Sequence, residues 1–226
     1  LMVTSTPNAY ISHIADKYQL EVMVNTSGGS IGKDWNFGFA AAKTTYVTLA
    51  HQDDVYFNRF TELCLKAIKQ NAGSKPVLIF NRSVIEKDGR VLGFSFKNLI
   101  RWLLVFPFHF KNCISSKAVK KSVLMFSNSI SCPGVMYGKG NHLPPLVFDE
   151  GAKYILDWKS WYDMSQMDGA FIYVPRQLHL HREHSESATS TTQKETLQHE
   201  EMTLLTRLWG NRIIPKIITA MLGLIK

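Results

Sequence analysis

Short apolar runs alternate with amphipathic stretches along the first eighty residues. Residues 1–5, 20–24, 45–50 and 77–80 are rich in β-branched and large apolar side chains and predict strands. Between them, residues 8–18, 34–42 and 58–70 carry apolar positions at helical spacing, with Asn8 placed to cap the first helix. Strands and helices alternating at these lengths predict an α/β layered fold with a largely parallel sheet. The back half is less regular. Residues 84–92 predict a hairpin turning at Asp88-Gly89, residues 157–165 a helix, and residues 170–174 a strand closed by Pro175. No internal repeat is visible. The Ser-, Thr- and Glu-rich stretch 185–196 reads as a connector between a body, residues 1–190, and a tail, residues 191–226, that ends in a basic helical segment.

Composition narrows the class. With 226 residues, 45% hydrophobic and 19% charged, the chain has enough apolar matter for one large domain and is neither disordered nor fibrous. No run approaches the ~18 apolar residues of a membrane span. The nearest, residues 99–110, is broken by Arg101, Pro107 and His109. No signal peptide is evident. Cys64, Cys113 and Cys132 are odd in number, far apart and without zinc spacing, which fits a reducing compartment. The formal charge of +8 favours an anionic partner: nucleotide phosphates, nucleic acid or an acidic membrane face. No recognisable nucleic-acid-binding pattern is present, so nucleic acid is not expected.

Four segments carry candidate chemistry. His51-Gln-Asp-Asp54 follows the apolar run 45–50. Ligands of open α/β sheets bind beyond the carboxyl ends of strands, and paired carboxylates suit Mg²⁺ or Mn²⁺. Neighbours on a regular strand point to opposite faces, so both acids serve one ion only if the chain turns there. Otherwise the pair merely caps the helix near Asn58. The Gly-containing stretch 25–38 lies between a strand and a helix, where backbone can approach a ligand; it matches no phosphate-binding fingerprint and also reads as an ordinary turn. Asp149 and Glu150 precede Asp157, which is either a helix cap or a general base. His179, His181 and His184 invite a zinc reading, but their spacing without cysteine is not a standard site, and a strand end explains them.

Taken in order, these segments resemble the GT-A glycosyltransferases, specifically the inverting family 2 of bacterial capsule and polysaccharide synthesis. The residues that carry the resemblance are the helix start Asn36-Phe-Gly38, the acidic motif His51-Gln-Asp-Asp54, then Phe148-Asp-Glu150 with Asp157-Trp158. The closing run is Pro175-Arg-Gln-Leu178, His181-Arg-Glu-His184 and Ser187. The match spans about residues 20–190. Three departures stand out. His51 replaces the first acid of the motif. The chain opens at what looks like the family's second strand, so either it is a fragment or the nucleotide base is held differently. His181 stands where the family has tyrosine.

The resemblance implies a GT-A, Rossmann-like mixed sheet, mainly parallel, flanked by helices. It implies a metal-dependent hexosyltransferase that moves a sugar from a nucleotide-sugar, by family habit a UDP-sugar, to a saccharide or lipid-linked acceptor. Asp53 would hold Mg²⁺ or Mn²⁺. Asn36, Gly38, Asp54, Arg182 and His184 would line the donor site, with a surface ion pair as the other reading of Arg182. Asp157 would be the base. The alternative is a degenerate GT-A scaffold in a polysaccharide assembly complex. The expected location is the cytoplasm, with peripheral contact at the inner face of the cell membrane. The tail suits that contact: Ile214, Ile217, Ile218, Met221 and Ile225 share a helical face beside Arg212, Lys216 and Lys226. The same face also suits packing onto the body.

Overall fold

In the computed structural model, described over residues 1–140, 143–144, 146–183 and 194–225, the chain opens with two short parallel strands. β1 (Met2–Thr4) and β2 (Val22–Val24) pair in register from Met2 opposite Val22 to Thr4 opposite Val24. They are joined by α1 (Ala9–Tyr18), which starts where the Asn8 side chain accepts from the Ile11 amide and stops at Gln19, in the left-handed conformation with φ 53°. α2 (Ile31–Ala41) starts on Ser30, whose hydroxyl accepts from Lys33 N. Its last carbonyls, Phe39, Ala40 and Ala42, accept from Lys139 Nζ, a cation at the negative end of the helix.

β3 (Val55–Tyr56) and α3 (Phe60–Gln70) lead to the long β4 (Pro76–Lys87), which folds back into β5 (Arg90–Leu92). Lys87 lies opposite Arg90, and Asp88 and Gly89 take φ 51° and 76°, the two-residue turn that Asp-Gly predicts. α4 (Phe96–Leu104), α5 (Pro107–Phe110), β6 (Cys113–Ile114), α6 (Lys117–Ser122), β7 (Val135–Tyr137) and α7 (Leu156–Ser165) follow. β8 (Ala170–Glu183), α8 (Lys194–Trp209) and α9 (Ile213–Ile225) complete the order.

The sheet is mixed, and its longest ladder, β4 with β8, is parallel. β3 and β6 join β8 antiparallel, and β5 and β7 join β4 antiparallel. Alternation along β4 divides the core. Leu78 and Phe80 face a cluster that includes Trp158, Trp161 and Leu205, while Ile79 faces Phe60, Cys64 and Ile68 of α3. Leu204, Leu205 and Leu208 place α8 in the first of these clusters.

Three elements differ from what the local pattern predicts. β8 does not stop at Pro175. The ladder passes from Asn81 opposite Val174 to Arg82 opposite Gln177, so Pro175 and Arg176 bulge out and pairing resumes. Residues 45–50 form no regular strand. Val47 exchanges both backbone hydrogen bonds with Tyr137 at the end of the three-residue β7, and Gly140 N donates to Thr45 O at 3.1 Å. Asp157 is not the cap of α7. The N-cap position is Ile155, and its amide, with those of Lys153 and Tyr154 just before it, donates to the Glu200 carboxylate of α8. Of the connector 185–196, residues 185–193 lie outside the described residues and 194–196 open α8. In the tail, Ile218 is buried and Ile214 packs on the core, whereas Ile217 and Met221 are exposed.

Candidate active site

α2 builds one wall of the site. Asn36 is buried, and both ends of its amide are used inside the protein. Its Oδ1 accepts from Val147 N (3.0 Å) and Phe148 N (2.9 Å), and its Nδ2 donates to Phe148 O (2.8 Å) and Glu150 Oε1 (3.2 Å). Asn36 therefore holds the 147–150 loop. Gly32 lets that loop come close: a Cβ there would lie 2.7 Å from the Asp149 carbonyl oxygen. Gly38 packs beside Val3 and Leu49. Asp149 is tied locally, with Oδ1 accepting from Gly151 N at 2.8 Å and Oδ2 3.1 Å from Lys159 Nζ.

Residues 51–54 turn, with Asp54 N donating to His51 O at 3.4 Å, and this turn gathers both acids. One ligand atom each from His51, Asp53 and Asp54 lies within 4.8 Å of the others. His51 stacks on Trp35 of α2 at 4.9 Å between centroids. The Asp54 side chain is 1% exposed. Its Oδ1 accepts from His181 Nδ1 and from Arg182 N, each at 3.0 Å. Its Oδ2 is buried without a hydrogen bond, 3.5 Å from His51 Nδ1. Burial pushes the Asp54 pKa up, but the His181 bond, the nearby His51 imidazole and the Arg182 amide together outweigh it, and the carboxyl is held well below the usual range. An ionised, buried oxygen with no donor is a vacancy in bonding that a cation fills. Two carboxylates and an imidazole suit Mn²⁺ as well as or better than Mg²⁺.

Asp157 lies in the first turn of α7. Its Oδ2 accepts from Asn128 Nδ2 at 2.6 Å and its Oδ1 from Trp158 N at 2.7 Å. Desolvation raises its pKa despite these bonds and the charges of Arg101 and His51. His51, which lies beside Asp54, also acts electrostatically on Asp157 and so links the acidic turn to the predicted base. Cys132 bridges the same space, with Sγ 3.7 Å from His51 Nε2.

The remaining predicted residues are placed as follows. The Arg182 guanidinium is 3.8 Å from Glu86, its partner across the β4–β8 ladder, so it reaches a diphosphate only by leaving that pair. His184 lies outside the described residues. Among the described residues, no cluster of metal-ligating side chains includes His179 or His181. His179 is fully buried, with Nδ1 2.9 Å from Asn81 Oδ1 and Nε2 3.1 Å from Ser131 Oγ. Asn128, Cys132, His181 and Arg101 were not singled out by motif as parts of the acid and base environment. The one available signal was that His181 and His51 fall at motif positions where the family has other residues.

Burial pulls the His179 pKa from 6.5 down to about 3. The folded pKa lies below the unfolded one, so the unfolded chain binds the proton first as pH falls. This contribution is complete above pH 6.5 and is lost toward pH 3, at up to ~1.4 kcal/mol per pH unit. Unfolding free energy measured in urea is expected to fall between pH 6.5 and 5, where most carboxylates have not begun to titrate. His179→Gln should flatten that slope. An unchanged slope in the variant assigns the effect elsewhere.

No known family profile matches the chain, and no curated protein matches it. Among solved structures, the crystal structure of S. aureus TarS 1-349 superposes with a TM-score of 0.54 at 16% identity, over 91% of this chain. The two share a mixed α/β, Rossmann-like fold. The chain spans about half of that structure, 54% of its length. A likeness at this identity shows the fold alone, a mixed α/β, Rossmann-like sheet flanked by helices.

Proposed function

We propose that the chain is an inverting glycosyltransferase that moves a sugar from a nucleotide-sugar, a UDP-sugar by resemblance, to a saccharide or lipid-linked acceptor in cell-surface polysaccharide synthesis. The observation that carries the reading is the joint placement of the His51, Asp53 and Asp54 cluster with the partly buried Asp157 on a GT-A-like fold. Asp53, Asp54 and His51 would hold a Mg²⁺ or Mn²⁺ ion, which when bound would supply charge neutralisation at the diphosphate leaving group. Trp35 keeps the His51 ring in place by stacking, and His181 fixes one oxygen of Asp54 while leaving the other for the ion. Asn128 and the Trp158 amide orient the Asp157 carboxylate. From there it takes the proton of the acceptor hydroxyl as that oxygen attacks the anomeric carbon. Attack opposite the leaving group inverts that centre and needs no enzyme nucleophile. Gly38 and Arg182 flank the donor side, with Asn36 holding the 147–150 loop behind it. A lipid-linked acceptor places the enzyme at the inner face of the cell membrane.

A donor screen tests this. Calorimetric titration with UDP-, GDP- and dTDP-sugars is expected to show UDP-sugar binding that needs Mn²⁺ or Mg²⁺ and vanishes with chelator. Absence of metal-dependent binding to every donor would replace the enzyme with the non-catalytic scaffold.

A further inference from the structure

α4 is built inside out. Asn98 and Arg101 turn toward the protein: Asn98 Nδ2 donates to Ser83 O at 2.9 Å and Asn98 Oδ1 accepts from Ser83 Oγ at 3.0 Å. Arg101, one turn on, has a buried Nη1 and lines a cavity of about 30 Å³ with Asn81 and Ser131. Phe96, Leu99 and Leu103, at i, i+3 and i+7, are 53%, 36% and 53% exposed, and no α4 residue is buried. The apolar surface continues into α5. Trp102 and His109 rings are 4.8 Å apart, and Phe106 lies 4.9 Å from Phe110, which is 79% exposed. Phe94, just before α4, is 72% exposed. Scattered apolar side chains on a surface need no explanation, but a helix pair that turns its apolar face outward does.

Charge says what covers it. From Gly89 to Phe148 the chain has eight Lys and Arg and no Asp or Glu. Lys97 and Lys117 pair with Glu183 and Asp168 from other elements, and Lys120 is buried on backbone carbonyls. Arg90 and Lys111, which bracket the apolar run, are exposed. Exposed Phe, Trp and Leu bracketed by the exposed cations Arg90 and Lys111, in a segment that carries no acid of its own, match an interfacial lipid layer, where apolar side chains reach the acyl boundary and cations meet anionic headgroups. No helix among the described residues is long and apolar enough to cross a membrane, so the contact lies in the plane of the surface.

We propose that the α4–α5 pair docks this protein on the surface of an anionic lipid bilayer. The inference is independent of the reaction: it rests on a face formed by residues 90–111 and not on the acidic turn or Asp157.

Co-sedimentation of the 226-residue chain with phosphatidylcholine vesicles, with and without phosphatidylglycerol, tests it with no donor, metal or acceptor present. The expected result is binding to the anionic vesicles that weakens with added salt. F94S/F106S/F110S is expected to lower the partition at least about tenfold, and R90E/K111E to lower it on anionic vesicles only. Both variants change exposed side chains and should melt as wild type does. I213S/I217S, in the tail, should keep wild-type partition. The proposal is overturned if wild type does not bind anionic vesicles, or if F94S/F106S/F110S binds equally well. It is also overturned if only I213S/I217S loses binding. A dimer that F94S/F106S/F110S dissociates, or RNA binding in place of vesicle binding, would assign the face to another occupant. Loss of donor binding in the screen above leaves this result untouched, and the reverse also holds.

Discussion

Asp157→Asn is expected to lower sugar transfer at least about 100-fold, the lower bound for removing a general base, while donor binding stays within about twofold of wild type. The substitution is close to isosteric, and the surroundings can accept it. Trp158 N still finds an oxygen at Oδ1, where the wild-type contact is 2.7 Å. On the other side, Asn128 Nδ2 would face a second NH₂ group, but Asn128 Oδ1 is buried without a partner and can rotate in to accept. The change also removes a charge whose burial is unfavourable, since desolvation is the largest influence on the Asp157 pKa. The melting temperature should therefore stay level or rise. That separates a lost base from a damaged fold. The pH–rate profile gives a second readout: wild type should show an acid limb above the ordinary carboxylate range, and the variant should lose it. Unchanged turnover would remove Asp157 from the chemistry. Asp149 and Glu150 would be next, although Asp149 is tied to Lys159 and Gly151 and Glu150 accepts from Asn36.

What the sequence made legible was the local and the strongly patterned. The Asp88-Gly89 hairpin needs only two residues with positive φ and paired flanks, and both are visible in the chain. Asn8 and the first helix are equally local. The apolar runs 77–80 and 170–174 mark the centre of the sheet, but their true lengths depend on the β4–β8 ladder, which absorbs Pro175 in a bulge. Residues 45–50 have strand composition, yet a regular strand needs a partner along its length, and Tyr137 supplies one position. The run 99–110 shows the limit of periodicity. A stripe of Phe96, Leu99 and Leu103 announces an amphipathic helix without saying which side faces out. At the site, motif order singles out Asp53, Asp54 and Asp157, and the turn brings the first two together with His51. Their partners were not: Asn128 precedes Asp157 by 29 positions and His181 follows Asp54 by 127, separations that only the folded sheet closes.

The two acids of the turn should also be separable from each other. Asp53→Asn is expected to abolish metal-dependent nucleotide binding and transfer while the melting temperature stays near wild type. Asp54→Asn is expected to abolish both and to destabilise the fold by roughly 3 kcal/mol, because it weakens charged hydrogen bonds in a buried setting. The difference follows from burial. Asp53 is partly exposed, whereas the Asp54 side chain is 1% exposed and ties the turn to β8 through His181 and the Arg182 amide. An amide at position 54 keeps an acceptor for those donors but loses the charge they stabilise, and its NH₂ replaces the oxygen that faces His51. The destabilisation carries a pH signature. The folded carboxyl titrates below its unfolded value, so its contribution is present above about pH 4 and is lost as pH falls further. Wild type and Asp54→Asn should therefore converge in stability under strong acid. Metal titration and thermal melts of the two variants, run side by side, check the pair. If Asp53→Asn keeps metal-dependent binding at wild-type level, Asp53 is not a ligand, and the ion is left to Asp54 and His51. If Asp54→Asn melts as wild type does at pH 7, its bonds to β8 do not hold the turn.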